Sequence, residues 1–223
     1  MLKRLIKKFV PPIFLEFYHY LLAFFGAVVF GFPSRKLTVI GVTGTSGKST
    51  TVDFIARILE EAGHKTASMS SVRFKIGQQE EKNTLKMTMP GRFKVQKFLR
   101  QAVRENCKYA VLEVTSEGIK QSRHKFIRFT TAVFTNLSPE HIESHGGFEN
   151  YRNEKLKLFK AVNNTHIINL DDSNTEYFLK VPATQKYFFT AKEHLNLEFK
   201  QEDKNTLEAK DIKIEEKKLA FSV

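Results

Sequence analysis

The sequence predicts an α/β fold: a mostly parallel sheet flanked by helices, with a basic, hydrophobic helix ahead of it and a β-hairpin extension at its C-terminal end. Three observations carry this. Short β-branched apolar runs at residues 37–42 (LTVIGV), 109–114 (YAVLEV) and 131–135 (TAVFT) read as buried strands. Stretches of helical periodicity follow or separate them, at 52–62, 92–104 and 148–162. The last residues alternate polar and apolar (Asp211, Ile212, Lys213, Ile214, then 219–223), as paired strands do.

Composition sets the frame for these elements. A chain of 223 residues has room for one domain and an appendage, divided here into 1–36 and 37–223. Its 41% hydrophobic and 27% charged residues suit a folded chain and exclude an intrinsically disordered one. Cys107 is the single cysteine, so an internal disulfide and a multi-cysteine metal site are both excluded, and a reducing, cytosolic setting fits. The net charge of +12 is unevenly spread. Residues 1–36 carry Lys3, Arg4, Lys7, Lys8, Arg35 and Lys36 against Glu16, and residues 85–130 carry eleven Lys and Arg against three Glu. Two regions therefore want anionic partners: lipid head groups for the first, a phosphorylated substrate for the second. Solvated helix faces account for part of the second region. No nucleic-acid recognition motif accompanies the charge, so nucleic acid is not among the expected partners.

Between residues 9 and 32 the only formal charge is Glu16, and 21–32 is an unbroken apolar run. A spanning helix needs about 20 apolar residues, a length reached here only by including Pro11, Pro12, Glu16 and His19. The basic start also resembles the opening of a signal peptide. Lysine-rich flanks stay cytoplasmic, however, so a single span would put the nucleotide motif that follows on the wrong side. The preferred expectation is a helix lying on or re-entering the membrane face, its cations at anionic head groups. The alternative is a helix packed on the domain or on a neighbour.

The first strand runs into GVTGTSGKSTT (41–51), and Val52, Ile55, Leu59 and Ala62 then mark an amphipathic helix closed by Gly63. Strand, glycine-rich turn and helix make the setting of a phosphate loop, so the fold narrows to a P-loop mononucleotide-binding one. Backbone N–H groups of Gly44, Thr45, Ser46 and Gly47 and the helix N-terminus would cradle phosphate, Lys48 would reach the β/γ-phosphates of ATP, and a hydroxyl would hold Mg²⁺. Val42 stands where the strict G-x-x-x-x-G-K spacing wants glycine, so the loop is a variant.

Glu113 lies near the carboxyl end of the second strand, where ligands of an open parallel sheet bind. It reads as a magnesium ligand or as a solvated strand-end carboxylate. The third strand runs into NLSPEH (136–141), bringing His141 toward the same crevice as a ligand or as a helix cap. The string HIESHGG (141–147) lacks the H-E-x-x-H pattern of zinc proteases. In the helix 148–162, Lys155 falls on the apolar stripe with Phe148, Tyr151, Leu158, Phe159 and Val162. It either snorkels to water or is buried, with a lowered pKa and a reactive neutral amine.

Taken together, GVTGTSGKSTT (41–51), YAVLEVTSEGIKQSR (109–123), TAVFTNLSPEHIESHG (131–146), YRNEKLKLF (151–159) and, more weakly, INLDD (168–172) resemble the central domain of the Mur ligases over roughly residues 37–190. The likeness is strongest to the MurE type. The resemblance implies an ATP- and Mg²⁺-dependent amide ligase of peptidoglycan precursor synthesis. It would take a UDP-N-acetylmuramoyl peptide and an amino acid as substrates, in the cytoplasm. It also assigns roles. Lys48, Ser49 and Thr50 would meet the ATP phosphates and the first magnesium, with Asn136 beside the loop; Glu113 and His141 would be metal ligands. Lys155 would be carbamylated by CO₂ near a second magnesium. Thr88, Pro90, Ser116 and Arg123 would hold the muramoyl substrate, and Asn169 and Asp172 would lie near the adenosine.

Some positions depart from the family pattern. The family often has Asn where Ser46 stands, Ser-His-Gly where Ser116-Glu117-Gly118 stands, Asp where Glu140 stands, and Thr-Thr-Pro where Thr88-Met89-Pro90 stands. Segment 1–36 replaces the family's UDP-binding domain, and the chain stops at Val223 before the family's C-terminal domain, so it reads as a truncated product or a fragment. Two alternatives follow: a related folylpolyglutamate or poly-γ-glutamate ligase, and a membrane-attached nucleotide-binding module without ligase activity.

Overall fold

The structure is a computed structural model that describes residues 11–85, 87–140, 142–191, 205–215 and 218–222. Its centre is the strand β1 (Thr38–Thr43), buried on both faces as its apolar run demands. It lies between β5 (Tyr109–Glu113) and β6 (Phe129–Phe134), parallel to both, with Val42 opposite Glu113 and Thr43 opposite Phe134. β2 (Thr66–Met69) extends the parallel sheet beyond β5. On the other flank β7 (Thr165–Asn169), β8 (Gln185–Thr190) and β9 (Thr206–Glu208) add to it in parallel. The antiparallel strands β3 (Arg73–Ile76) and β4 (Gln79–Lys82) finish the β2 edge. The sheet order is β4-β3-β2-β5-β1-β6-β7-β8-β9. The expected hairpin is present, as β10 (Lys210–Glu215) paired with β11 (Lys218–Ser222) in a separate two-stranded sheet.

Helix α2 (Lys48–Glu61) covers one face, where Val52 and Ala56 pack with Ile40, Val42, Val111 and Val133. The larger core lies on the other face. There α3 (Arg92–Arg104) buries Val95, Phe98, Leu99 and Ala102, the stripe its periodicity marks. Helix α6 (Phe148–Lys160) also packs on that side, ending two residues before the apolar pattern does. The short helices α4 (Ser116–Lys120), α5 (Ile142–His145) and α7 (Thr175–Leu179) sit in the connections.

The N-terminal helix α1 (Pro12–Val29) packs on α3 through its small residues, Ala23, Gly26 and Ala27, all buried. A Cβ on Gly26 would sit 3.6 Å from the Phe93 backbone, so the two helices approach closely there. The opposite face of α1 is aromatic and exposed. The sequence offered membrane or domain as the partner of this helix; one face has the domain. Among the described residues, no helix is long and apolar enough to cross a membrane.

Candidate functional site

The parallel strands β1, β5, β6 and β7 end along one edge of the sheet, so Thr43, Glu113, Phe134 and Asn169 are near one another although they come from distant parts of the chain. The glycine-rich loop, the candidate phosphate loop, begins there. Gly44 has φ 153°, and a Cβ on it would lie 1.9 Å from Thr135 Oγ1, so only a residue without a side chain fits. Gly47, at φ 76°, turns the chain into the first residue of α2, Lys48.

The loop is braced by the segment after β6. Thr45 N–H donates to Asn136 O (2.9 Å) and Ser46 N–H to Asn136 Oδ1 (2.9 Å), while Asn136 Nδ2 and Thr135 Oγ1 donate to Ser46 O (3.1 and 2.9 Å). Two of the loop amides that the sequence assigned to phosphate are thus committed to Asn136. The first turn of α2, whose amides have no helical acceptor, remains to face an anion. Lys48 Nζ donates to Thr45 O (2.7 Å) and lies 3.8 Å from Glu113 Oε1. Burial lowers its pKa from the ordinary lysine value, against the opposing pull of Glu113 and Glu140.

Glu113 is a buried carboxylate rather than a solvated strand end: it is 3% exposed. Its Oε2 accepts hydrogen bonds from Ser49 Oγ (2.6 Å) and the Ser71 amide (3.0 Å), and Ser71 Oγ pairs with Ser49 Oγ (2.7 Å). One carboxylate and one hydroxyl at the head of α2 form an oxygen donor set of the kind Mg²⁺ takes when substrate phosphates complete its shell. The residues therefore fit magnesium. Among the described residues there is no cluster of three or more His, Cys, Asp or Glu side chains, the arrangement a metal held by protein alone would need. His141, expected as a further ligand, lies outside the described residues.

Lys155 does not snorkel. It is 1% exposed, its Nζ donates to Gly44 O (2.6 Å), and it stands 4.5 Å from the centroid of the Tyr151 ring. Burial, reinforced by the nearby Lys48 cation, pushes its pKa down to about 7. Tyr151 is tied in by a 3.1 Å hydrogen bond between its hydroxyl and Thr45 Oγ1, which also accepts the Ser138 amide (2.9 Å).

An open cleft of about 530 Å³ starts at the loop and runs across the sheet edge. Gly44, Thr45, Lys48 and Lys155 line it together with Thr88, Ser116 and Arg123. Three of the four residues expected to hold substrate therefore meet in one cavity with the phosphate loop. Pro90 does not line it and is buried beside Met89 at the entry to α3. Arg123 donates to the Met89 carbonyl and to Gln121 Oε1 (2.8 Å), its Nε has no hydrogen-bond partner, and burial lowers its pKa. Ser46 and Thr50 are exposed at the loop and at the head of α2.

Asn169 and Asp172 are near the loop, but their side chains organise the chain. Asn169 Nδ2 donates to Thr135 O (2.7 Å), and Asp172 accepts the amides of Leu137 (2.6 Å) and Asn174 (2.8 Å). Sequence reasoning missed Ser71, whose position in the turn before β3 carries no motif. It also passed over the part of Tyr151 and His145 in the cleft, although both stood in quoted strings. His145 is 8% exposed, with its pKa lowered by burial and by Lys120.

The family model of the Mur ligase middle domain matches residues 42–223. A UDP-N-acetylmuramoyl-L-alanyl-D-glutamate--2,6-diaminopimelate ligase of Syntrophomonas wolfei is 40% identical over 155 residues, which are 68% of this chain and 31% of that protein. A UDP-N-acetylmuramyl-tripeptide synthetase of Treponema denticola is 36% identical over 207 residues, 88% of this chain and 38% of that one. A solved structure of a UDP-N-acetylmuramoyl-L-alanyl-D-glutamate--2,6-diaminopimelate ligase superposes with TM-score 0.68 at 24% identity, covering 83% of this chain and 36% of the other. The chain spans about a third of the length of the curated relatives it matches.

Proposed function

The chain belongs to the Mur ligase family through that family's middle domain, and on that premise we propose that residues 37–223 bind ATP with Mg²⁺ and activate the carboxylate of a UDP-N-acetylmuramoyl peptide for amide formation in the cytoplasm. The observation that carries this reading is that Lys48, Ser116 and Arg123 line one cleft, which can hold a triphosphate and an anionic acyl substrate together.

The chemistry is phosphoryl transfer followed by acyl transfer. A carboxylate oxygen of the peptide attacks the γ-phosphorus as the bond to the β-bridging oxygen breaks, giving an acyl phosphate and ADP. The amine of the incoming amino acid then attacks the acyl carbon. It loses a proton, and inorganic phosphate leaves. Ser49 and Glu113 would hold the magnesium ion, which would supply charge neutralisation on the phosphates. Lys48 takes its share of the transferring charge, and Arg123 holds the acyl substrate through its guanidinium. Lys155, an amine that is in part neutral near pH 7, is suited to become a carbamate, a carboxylate-like group beside the loop.

The test is Mg²⁺-dependent phosphate release from ATP by the 223-residue chain, with and without a UDP-muramoyl dipeptide. Stimulation by the dipeptide is the expected outcome. Nucleotide binding without stimulation would leave a nucleotide-binding module. Stimulation by a folate or a γ-glutamyl acceptor in its place would move the chain to the related ligases.

A further inference from the structure

Helix α1 has two unlike faces. Ala23, Gly26 and Ala27 are buried on α3, while Phe14, Phe17, Tyr18, Phe24, Phe25 and Val28, with half-buried Leu21 between them, follow the three- and four-residue spacing of another helix face. Each of these six is between 39% and 64% exposed. They form a stripe about 20 Å long at the helical rise, and no charged residue lies on it. Glu16 projects away from the stripe, into a groove with His124, Lys125 and Lys157. A soluble surface rarely exposes so continuous an apolar patch without a partner.

Charge at the two ends of the stripe selects that partner. The sequence places Lys3, Arg4, Lys7 and Lys8 ahead of the helix, and Arg35 and Lys36 follow it, both exposed, with the Arg35 guanidinium 4.6 Å over the Phe32 ring. A second copy of this chain would bring one basic end against another, whether the helices ran parallel or antiparallel, in a protein already carrying +12. An anionic surface meets both ends favourably, and the aromatic stripe between them suits the boundary of head groups and acyl chains.

We propose that α1 is an interfacial anchor, lying in the plane of an anionic bilayer with its Phe14–Val28 face immersed and the domain held on its Ala23–Gly26–Ala27 face. Because α1 packs on the helix that follows the Thr88–Pro90 segment, the cleft is held at the lipid surface on a rigid brace. The anchor does not depend on the ligase reading and stands or falls separately from it.

The experiment is co-sedimentation of the full chain with phosphatidylcholine vesicles, with and without about one third phosphatidylglycerol. The expected result is binding to the anionic vesicles that weakens with salt, and little binding to the neutral ones. Each basic side chain near the surface contributes roughly fivefold, so Arg35→Gln with Lys36→Gln should weaken binding by roughly tenfold or more. Phe17→Asp with Phe25→Asp should abolish binding and leave the thermal melt unchanged, since both rings are more than half exposed. A chain that stays in the supernatant with both vesicles overturns the proposal. So does a salt-resistant dimer in solution that the aspartate pair dissociates, because the stripe is then an interface between copies.

Discussion

The Nζ of Lys155, midway along α6, donates a 2.6 Å hydrogen bond to the backbone carbonyl of Gly44, the residue at which the chain leaves β1 for the phosphate loop. The contact joins positions 111 apart in sequence. It also settles which end of the lysine is costly: the amine is enclosed, with the Tyr151 ring on one side and the Lys48 cation close enough to depress its pKa. An amine so placed is held at the loop and is neutral for much of the time near pH 7.

That state gives a test by carbon-13 NMR with labelled CO₂. The neutral amine attacks the CO₂ carbon and loses a proton, so the carbamate forms in step with deprotonation. With a native pKa of about 7 against an ordinary lysine value of 10.5, the signal should build above pH 7 and fade as pH drops through it. A Lys155→Ala variant should show no signal, and its turnover should recover in part with an added short carboxylate. Absence of a Lys155 carbamate in the parent at mildly alkaline pH would falsify the assignment.

Lys48 supplies the cation of the loop, so Lys48→Ala should weaken ATP binding measured by calorimetry. A hydrogen bond to a charged group is worth about 1.5–3 kcal/mol, which predicts a loss of roughly ten- to a hundredfold. The melting temperature should fall as well, because Glu113, buried 3.8 Å from Nζ, loses its cation. ATP affinity equal to that of the parent would remove Lys48 from the phosphate site.

Gly44→Ala tests the fit of the loop against β6. The added Cβ would lie 1.9 Å from Thr135 Oγ1 and 3.0 Å from the Asn136 backbone, and φ 153° disfavours any side chain. The Thr135 and Asn136 braces on Ser46 must then shift, at a cost of about 1–3 kcal/mol by analogy with overpacked sites. A lowered melting temperature and lost nucleotide binding are expected together. Gly26→Ala, whose Cβ would meet only ordinary contact at 3.6 Å, is the control that should melt near the parent.

What could be read in advance followed from periodicity. Arg92–Arg104 was legible to the residue because Val95, Phe98, Leu99 and Ala102 leave one helical stripe and nothing ambiguous. β1, the loop and α2 were legible because a continuous apolar run, a glycine-rich turn and a period-3.6 run adjoin. Residues 66–82 fold as three four-residue strands, and β4 is exposed throughout (QEEK); runs so short and polar have no period to detect, and pairing decides them. In the site, Lys155 stood out as a charge on an apolar stripe. Ser71 did not, because its hold on Glu113 exists only once β2 lies beside β5. Asn136 was expected beside the loop, and the hydrogen bonds by which it braces Ser46 depend on tertiary distance that the sequence does not show.

His124 provides the last test, on stability. It is 3% exposed, and neither ring nitrogen has a hydrogen-bond partner, so the ring is a polar group enclosed without compensation. Burial, with the Lys125 and Lys157 cations, pushes its pKa down to about 3, from 6.5 in an open chain. Below pH 6.5 the unfolded chain takes up a proton at this position that the folded chain refuses. The contribution to stability is therefore full above pH 6.5 and is lost progressively as pH falls toward 3, to a total of about 3–5 kcal/mol. His124→Leu replaces an unpaired polar ring with an apolar side chain of similar reach, so at pH 7 it should match the parent or exceed it slightly. At pH 5 the variant should be the more stable of the two in urea, because it has no proton to refuse. If parent and variant lose stability in parallel between pH 7 and pH 5, then His124 takes up its proton in the folded chain as readily as in water, and the enclosure at this position is open to solvent.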